Sequence, residues 1–317
     1  MSFNNCLKTG TLLRRAIVRN HGTSTSIGID STVENNLKTE SNRLSKTLNR
    51  FWEKVTIEQN DGQLKISLDG KPLKTPLSNE LSVSQTQAPL AHFLKREWSN
   101  LSDLTIRPHS LPLTSIVSRC IDLTAVSDPH CDPELVTKIG GNRNTICQGL
   151  LRYLDTDTLL CFSPKDEFEG ALRRAQEKEY MPLIRGVEQF LSPYVKNPVS
   201  LKILDADLHG LRGNAQTQET KEAAMKFLST LSPWNLAVFE KTVLTTKSFI
   251  CGLLLILNKT YIPSAALKVS MEQVARLATL ETIYQTERWG EVEDTHDVDK
   301  RDVRRNVNAA AIAAYQE

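Results

Sequence analysis

The period of the apolar residues changes once along this chain, and that change restricts the fold more than any other feature. From Arg50 to Val83 the period is two. FWEKVTI (51–57) and QLKISL (63–68) alternate apolar and polar residues around Asn60-Asp61-Gly62, a strong hairpin signal. A second corner follows in LDGKPLKTP (68–76), and ELSV (80–83) supplies another short strand. From Ala88 the period becomes 3.6. Leu90, Phe93, Leu94, Glu97, Trp98 and Leu101 fall at helical spacing, with Pro89 in the first turn where proline is tolerated. Further helices are expected over Leu113–Leu123, Cys147–Cys161, Phe168–Leu191, Thr217–Leu231, Trp234–Asn258 and Ala265–Trp289, punctuated by prolines. The pattern predicts an α+β fold. A small β-rich N-terminal domain with one helix spans 48–108, and a multi-helical bundle of crossing helices spans 109–317. No internal repeat is visible.

The residues before Arg50 are of another kind. The first twenty-nine hold Lys8, Arg14, Arg15 and Arg19, with no acid before Asp30. Leu7, Leu12, Leu13, Ile17 and Val18 are interleaved with them, and a Ser/Thr-rich stretch follows. Basic, Ser-rich, acid-poor and amphipathic is the description of a mitochondrial transit peptide, expected over 1–30, with a polar linker over 31–47. Residues 1–49 carry seven Lys/Arg against three Asp/Glu, which leaves 32 against 34 for the rest. The body is thus near neutral and offers no broad basic field for nucleic acid. The most apolar run, FICGLLLIL (249–257), has nine residues, against the roughly 20 a membrane span needs, and reads as a buried helix. Six cysteines occur, none in a CxxC pair and one inside the presequence, so they read as small core residues in a reducing compartment.

Catalytic signatures are missing. GxGxxG, GxxxxGK[ST], HExxH and GxSxG do not occur, and KIGGNRNT (138–145) lacks the lysine and spacing of a phosphate loop. His130, Cys131 and Asp132 stand in a row in PHCDPE, but neighbouring loop residues rarely ligate one ion together. No catalytic residue, metal site or cofactor is expected, and the chain does not read as an enzyme.

The end of the last expected helix is the anomaly. Leu267, Met271, Val274 and Leu277 form one row whose next members are Glu281, Tyr284 and Arg288. An acid therefore stands where an apolar residue is due. On spacing alone Glu281 reads as the end of a buried stripe, its head snorkelling to water or paired with a base. Glu281 and Glu287 point about 120° apart and lie roughly 9 Å apart along one helix, too divergent for a catalytic pair. The acids from Glu291 to Asp302 read as a solvated face or a surface for a basic partner. Trp289-Gly290 reads as a helix stop or an aromatic anchor. A hydrolase built around Glu281 and His296 is the alternative, and it needs a pocket with perturbed titrating groups.

Several segments, in order, resemble one family: RFWEKV (50–55), LDGKPLKTP (68–76), Leu90-Ala91 with Glu97-Trp98, and LPLTSIVSRCID (111–122). LLRYLDTDTLLCF (150–162), Gln176 to Pro182-Leu183, and LETIYQTERWG (280–290) continue the series. The chain is similar in these to mitochondrial assembly chaperones that bind the α subunit of the F-type ATP synthase catalytic head. The stretch Thr124 to Thr145 is longer and more polar than the family's usual connection. The resemblance implies a matrix protein, monomeric, without nucleotide chemistry. Such a protein covers the unassembled α subunit and yields it to the β subunit. It also implies a functional acid on the last long helix, before Trp-Gly. Matching positions are Glu281 first and Glu287 second, with Tyr284, Gln285 and Trp289 beside them as partner-binding residues.

Overall fold

The structure, a computed structural model, describes residues 50, 52–101, 110–210, 213–260, 267–290 and 296–315. The transit peptide and linker expected over 1–47 lie outside the described residues. The fold is mixed and helix-rich, with a small N-terminal sheet.

Strands β1 (Val55–Asn60) and β2 (Gln63–Leu68) pair antiparallel with Val55 opposite Leu68 and Asn60 opposite Gln63. Their loop residues Asp61 and Gly62 both take positive φ, 49° and 75°, as a type I′ turn requires. Asp69 and Gly70 repeat that geometry at 48° and 77° and return the chain into β3 (Lys71–Pro72). β4 (Ser82–Ser84) also pairs with β2, which makes β2 the central strand. Helix α1 (Ala88–Ser99) packs on this sheet and buries Leu90, Ala91, Leu94 and Trp98. Each large side chain withdrawn from water here contributes roughly 1.5–3 kcal/mol. Trp52 meets Trp98 edge to face at 5.2 Å.

Two polar joints lock the sheet and α1 to the first helix of the bundle, α2 (Pro112–Ala125). Glu97 accepts the N–H groups of Leu113 and Thr114, both at 2.8 Å, at the end where a helix has donors to spare. Asp122 accepts from Thr75 Oγ1 at 2.5 Å and Asn79 Nδ2 at 2.8 Å, which holds the LDGKPLKTP corner against α2. The polar stretch 124–145 is structural. It forms α3 (Pro133–Lys138), N-capped by Asp132, and the Ile139 carbonyl accepts from Arg119 at 2.6 Å.

Several expected helices prove shorter. The one expected over Cys147–Cys161 is α4 (Arg143–Asp155). Asp157 stops it by capping a 3₁₀ turn, and Cys161–Phe162 forms β5, parallel to β6 (Leu204–Asp205). The helix expected from Phe168 begins at Ala171, as α5 (Ala171–Leu191), because Phe168, Glu169 and Gly170 are left-handed, with φ 50°, 56° and 74°. Two short helices follow, α6 (Ala206–His209) and α7 (Gln218–Thr230). The single helix expected over Trp234–Asn258 is two, α8 (Pro233–Thr246) and α9 (Phe249–Thr260). The break sits at Lys247, φ 56°, where buried Asp157 accepts from Ser248 Oγ at 2.6 Å and from Ile250 N–H at 2.9 Å. A side chain replacing the hydrogen of Gly252 would put its Cβ 2.7 Å from Val243 Cγ2, so glycine lets α8 and α9 approach.

The row from Leu267 also breaks. Ser270 and Gln273 form a capping box that starts α10 (Met271–Ala278), and α11 (Leu280–Trp289) follows across Thr279, φ −116°. Of the acids expected on a solvated face from Glu291 to Asp302, all side chains but that of Asp302 lie outside the described residues, and Asp302 pairs with Arg305 at 2.6 Å at the surface. Residues from His296 form α12 (His296–Ala313), which buries Val307, Ala309, Ala310, Ala311 and Ala313 against α2, α8 and α10. Alanine-rich burial without large side chains left little amphipathic signal to read. Arg119 of α2 and Glu240 of α8 form a buried two-point ion pair at 2.7 and 2.8 Å. Buried side chains from Trp52 to Ala314 make one continuous core. Among the described residues no helix is long and apolar enough to cross a membrane.

Candidate functional site

The break at Thr279 resolves the anomaly at Glu281. An unbroken helix would put Glu281 in the buried row, but the kink turns Leu280 inward instead, fully buried, and leaves Glu281 exposed. Glu281 is thus at the surface for a local reason, a non-helical residue one step before it. Its Oε1 accepts from Gln285 Nε2 at 2.9 Å, an i, i+4 contact along α11. Among the described residues it makes no ion pair. Desolvation by the surrounding protein, and next the charge of Glu167, hold its carboxyl above the usual carboxylate range.

The other residues expected at this site sit around Phe168. Its ring is 6.1 Å from Tyr284, edge to face, and 5.3 Å from Trp289, with the Arg288 guanidinium 5.7 Å above it. Tyr284 is half-buried and packs on the core, whereas Trp289 is 68% exposed. Glu287 is exposed beside it, and Gly290, φ 83°, ends the helix. The structure therefore brings Glu281, Tyr284, Gln285 and Trp289 together along one short helix. Sequence reasoning missed Phe168 and Glu167. Their signal was Glu167-Phe168-Glu169-Gly170 before a helix start, an aromatic among acids followed by glycine. Left-handed backbone at Phe168 and Glu169 costs of order 1–3 kcal/mol each, and it aims the Phe168 ring at α11.

The arrangement places an exposed carboxylate and an exposed aromatic ring on one short helix. His296 opens α12, but its side chain lies outside the described residues. Burial, then the charges of Asp157 and Glu281, push the Cys161 thiol up to about 11, so it is held as thiol rather than as a nucleophilic thiolate. Of His130, Cys131 and Asp132, the last caps α3, its Oδ1 accepting from Glu134 N–H at 2.9 Å.

Residues 49–188 match the model of a family described as ATP12 chaperone protein. The mitochondrial protein ATP12 of Saccharomyces cerevisiae is 57% identical over 298 residues, covering 92% of this chain and 91% of that one. The chain belongs to the ATP12 chaperone family. The mitochondrial atp12 of Schizosaccharomyces pombe is 36% identical over 263 residues, covering 83% of this chain and 81% of its own. Two solved bacterial structures share the fold. Atp12 from Paracoccus denitrificans superposes with a TM-score of 0.55 at 23% identity, over 83% of this chain and 98% of its own. A candidate chaperone from Agrobacterium tumefaciens reaches 0.62 at 22% identity, over 90% and 98%. The ATP12 family match ends at residue 188, within α5, whereas the site on α11 lies beyond it.

Proposed function

We propose that this ATP12-family protein is an assembly chaperone for the catalytic head of the F-type ATP synthase and acts in the mitochondrial matrix. It holds the unassembled α subunit and releases it to the β subunit. The observation that carries the site is Trp289, a large aromatic 68% exposed yet packed at a tilt against Phe168, on the same short helix as Glu281, an acid with no ion pair among the described residues. A pre-ordered aromatic is the usual anchor of an interface, because little side-chain freedom is lost when it is covered. Glu281 supplies charge complementarity to a basic side chain or N–H of the client and acts on partner choice more than on raw affinity. Gln285 orients Glu281, Tyr284 packs on the same Phe168 ring that Trp289 meets, and Glu287 forms the rim. Chaperoning is then mass action. Bound client is removed from the aggregating pool and is given up to a subunit that covers more of its surface.

Light scattering of refolding α subunit tests this. The chain is expected to suppress scattering at near-equimolar ratio, and Glu281→Lys or Trp289→Ala to lose most of that effect while melting normally. Suppression unchanged in both variants removes α11 as the site. Stoichiometric retention in the assembled head would make the protein a permanent subunit instead.

A further inference from the structure

A groove between α1 and α12 is independent of the α11 site. Two adjoining hollows, of about 490 and 210 Å³, share Phe93 and Ile312. One end is basic, lined by Arg96 of α1 and by Arg304 and Arg305 of α12, while the other is mostly apolar, with Lys259 at its edge, and ends at Tyr315. Phe93 is 48% exposed and Tyr315 53%, two of the four large hydrophobic side chains that stand exposed among the described residues. Glu97 also lines the basic end, but its oxygens are turned to the N–H groups of Leu113 and Thr114. Arg304 pairs with Glu272 at 2.8 Å and Arg305 with Asp302 at 2.6 Å. Both are surface pairs, worth roughly 0–1 kcal/mol, so an incoming carboxylate displaces them at little cost.

We infer that this groove binds an acidic segment of a client polypeptide. Its carboxylates lie on Arg96, Arg304 and Arg305, and a large apolar side chain lies between Phe93 and Tyr315. The dimensions define the segment. From Arg304 to Tyr315 the helix rises roughly 16 Å, which an extended peptide covers in about five residues. The occupant therefore carries its acids about five residues from its apolar anchor. Charge excludes the chain's own first 49 residues, which hold seven Lys/Arg against three Asp/Glu. Nucleic acid fits poorly, because the basic end is short and the other end adds one cation, Lys259, among aliphatic Leu90, Ala311 and Ile312 in place of a continuing cationic track.

The test is fluorescence anisotropy on the full chain with a labelled ten-residue peptide carrying three Glu and, five residues on, a Phe. Controls are the same peptide with Lys for Glu and a ten-nucleotide oligothymidylate. The Glu peptide is expected to bind about tenfold tighter than the Lys peptide, and less so at high salt. Arg304→Gln with Arg305→Gln, and separately Phe93→Gln, should each weaken it about fivefold or more with melting unchanged, as expected for side chains at an interface centre. Glu281→Lys should leave peptide binding intact, which separates this groove from the α11 site. Equal affinity for both peptides, binding indifferent to both groove variants, or preference for the oligonucleotide overturns the inference. So does a self-association through α12 that the Glu peptide fails to disrupt.

Discussion

Glu240 and Glu281 are both helical glutamates in this bundle, and their surroundings are opposite. Glu240 is 3% exposed and is met at two points by Arg119, whose third nitrogen, Nη1, donates to the Ile139 carbonyl. Glu281 is exposed, accepts from Gln285, and lies within reach of the charge of a second acid, Glu167. Where α2 meets α8, the charge has been removed from water and all its partners come from within the fold. At α11 a charge and an aromatic remain at the surface, the one bonded to Gln285 and the other packed against Phe168. Satisfied buried polarity belongs to the scaffold, and an exposed charge with an exposed aromatic on the same helix is what the proposed interface would use.

The largest effect should come from breaking the first member of that comparison. Arg119→Met leaves Glu240 buried without its cation, a loss of about 3–5 kcal/mol. For a domain of this size that corresponds to a melting point lower by roughly 6–20 °C. Adding Glu240→Leu should recover most of the loss, since an apolar pair of similar volume replaces an ion pair at little cost. A double variant no better than the single one would mean that Arg119 acts mainly through the Ile139 carbonyl.

Asp157 is the intermediate case, a fully buried acid held only by neutral donors. Burial raises its carboxyl from 3.8 to about 6. A carboxyl with a raised folded pKa favours the protonated fold. Its contribution is therefore fully present below the unfolded value and is lost as pH rises from about 4 through 6. The loss amounts to about 3 kcal/mol. In Asp157→Asn that component of the pH dependence should vanish, read as a flatter melting-point profile between pH 4 and 6. A profile parallel to that of the parent protein would place the titration elsewhere.

How much of this was legible in the sequence follows from the same physics. Both Asp-Gly turns and the stripe of α1 could be read directly, because turn chemistry and apolar period are local. The breaks at Asp157, Lys247 and Thr279 could not. The first two depend on a carboxylate that reaches from residue 157 to donors at 248 and 250. Those contacts have no local signature. α12 was hidden because its buried face is mostly alanine, whose small side chain adds little to an apolar moment. At the site, Glu281 was singled out for a reason that the kink removes. Phe168 went unnoticed because its place against Trp289 is made by a left-handed turn and not by a helical spacing.

The smallest stability effect is expected at Glu281, and its smallness sharpens the comparison. The group is exposed, so neutralising it should alter folding by no more than about 0.5 kcal/mol. The sign follows from the raised carboxyl. Its charged form is disfavoured in the fold by desolvation and by Glu167, so Glu281→Gln should be neutral or slightly stabilising at pH 7. The amide also keeps an oxygen for the Gln285 contact. Client holding is expected to fall in the same variant, because a cation on the partner would lose its counter-charge. Denaturant unfolding and scattering on one preparation would read both quantities. Stability lowered by 2 kcal/mol or more would put Glu281 with Glu240 as a scaffold charge, and the distinction between the two regions would fail at that residue.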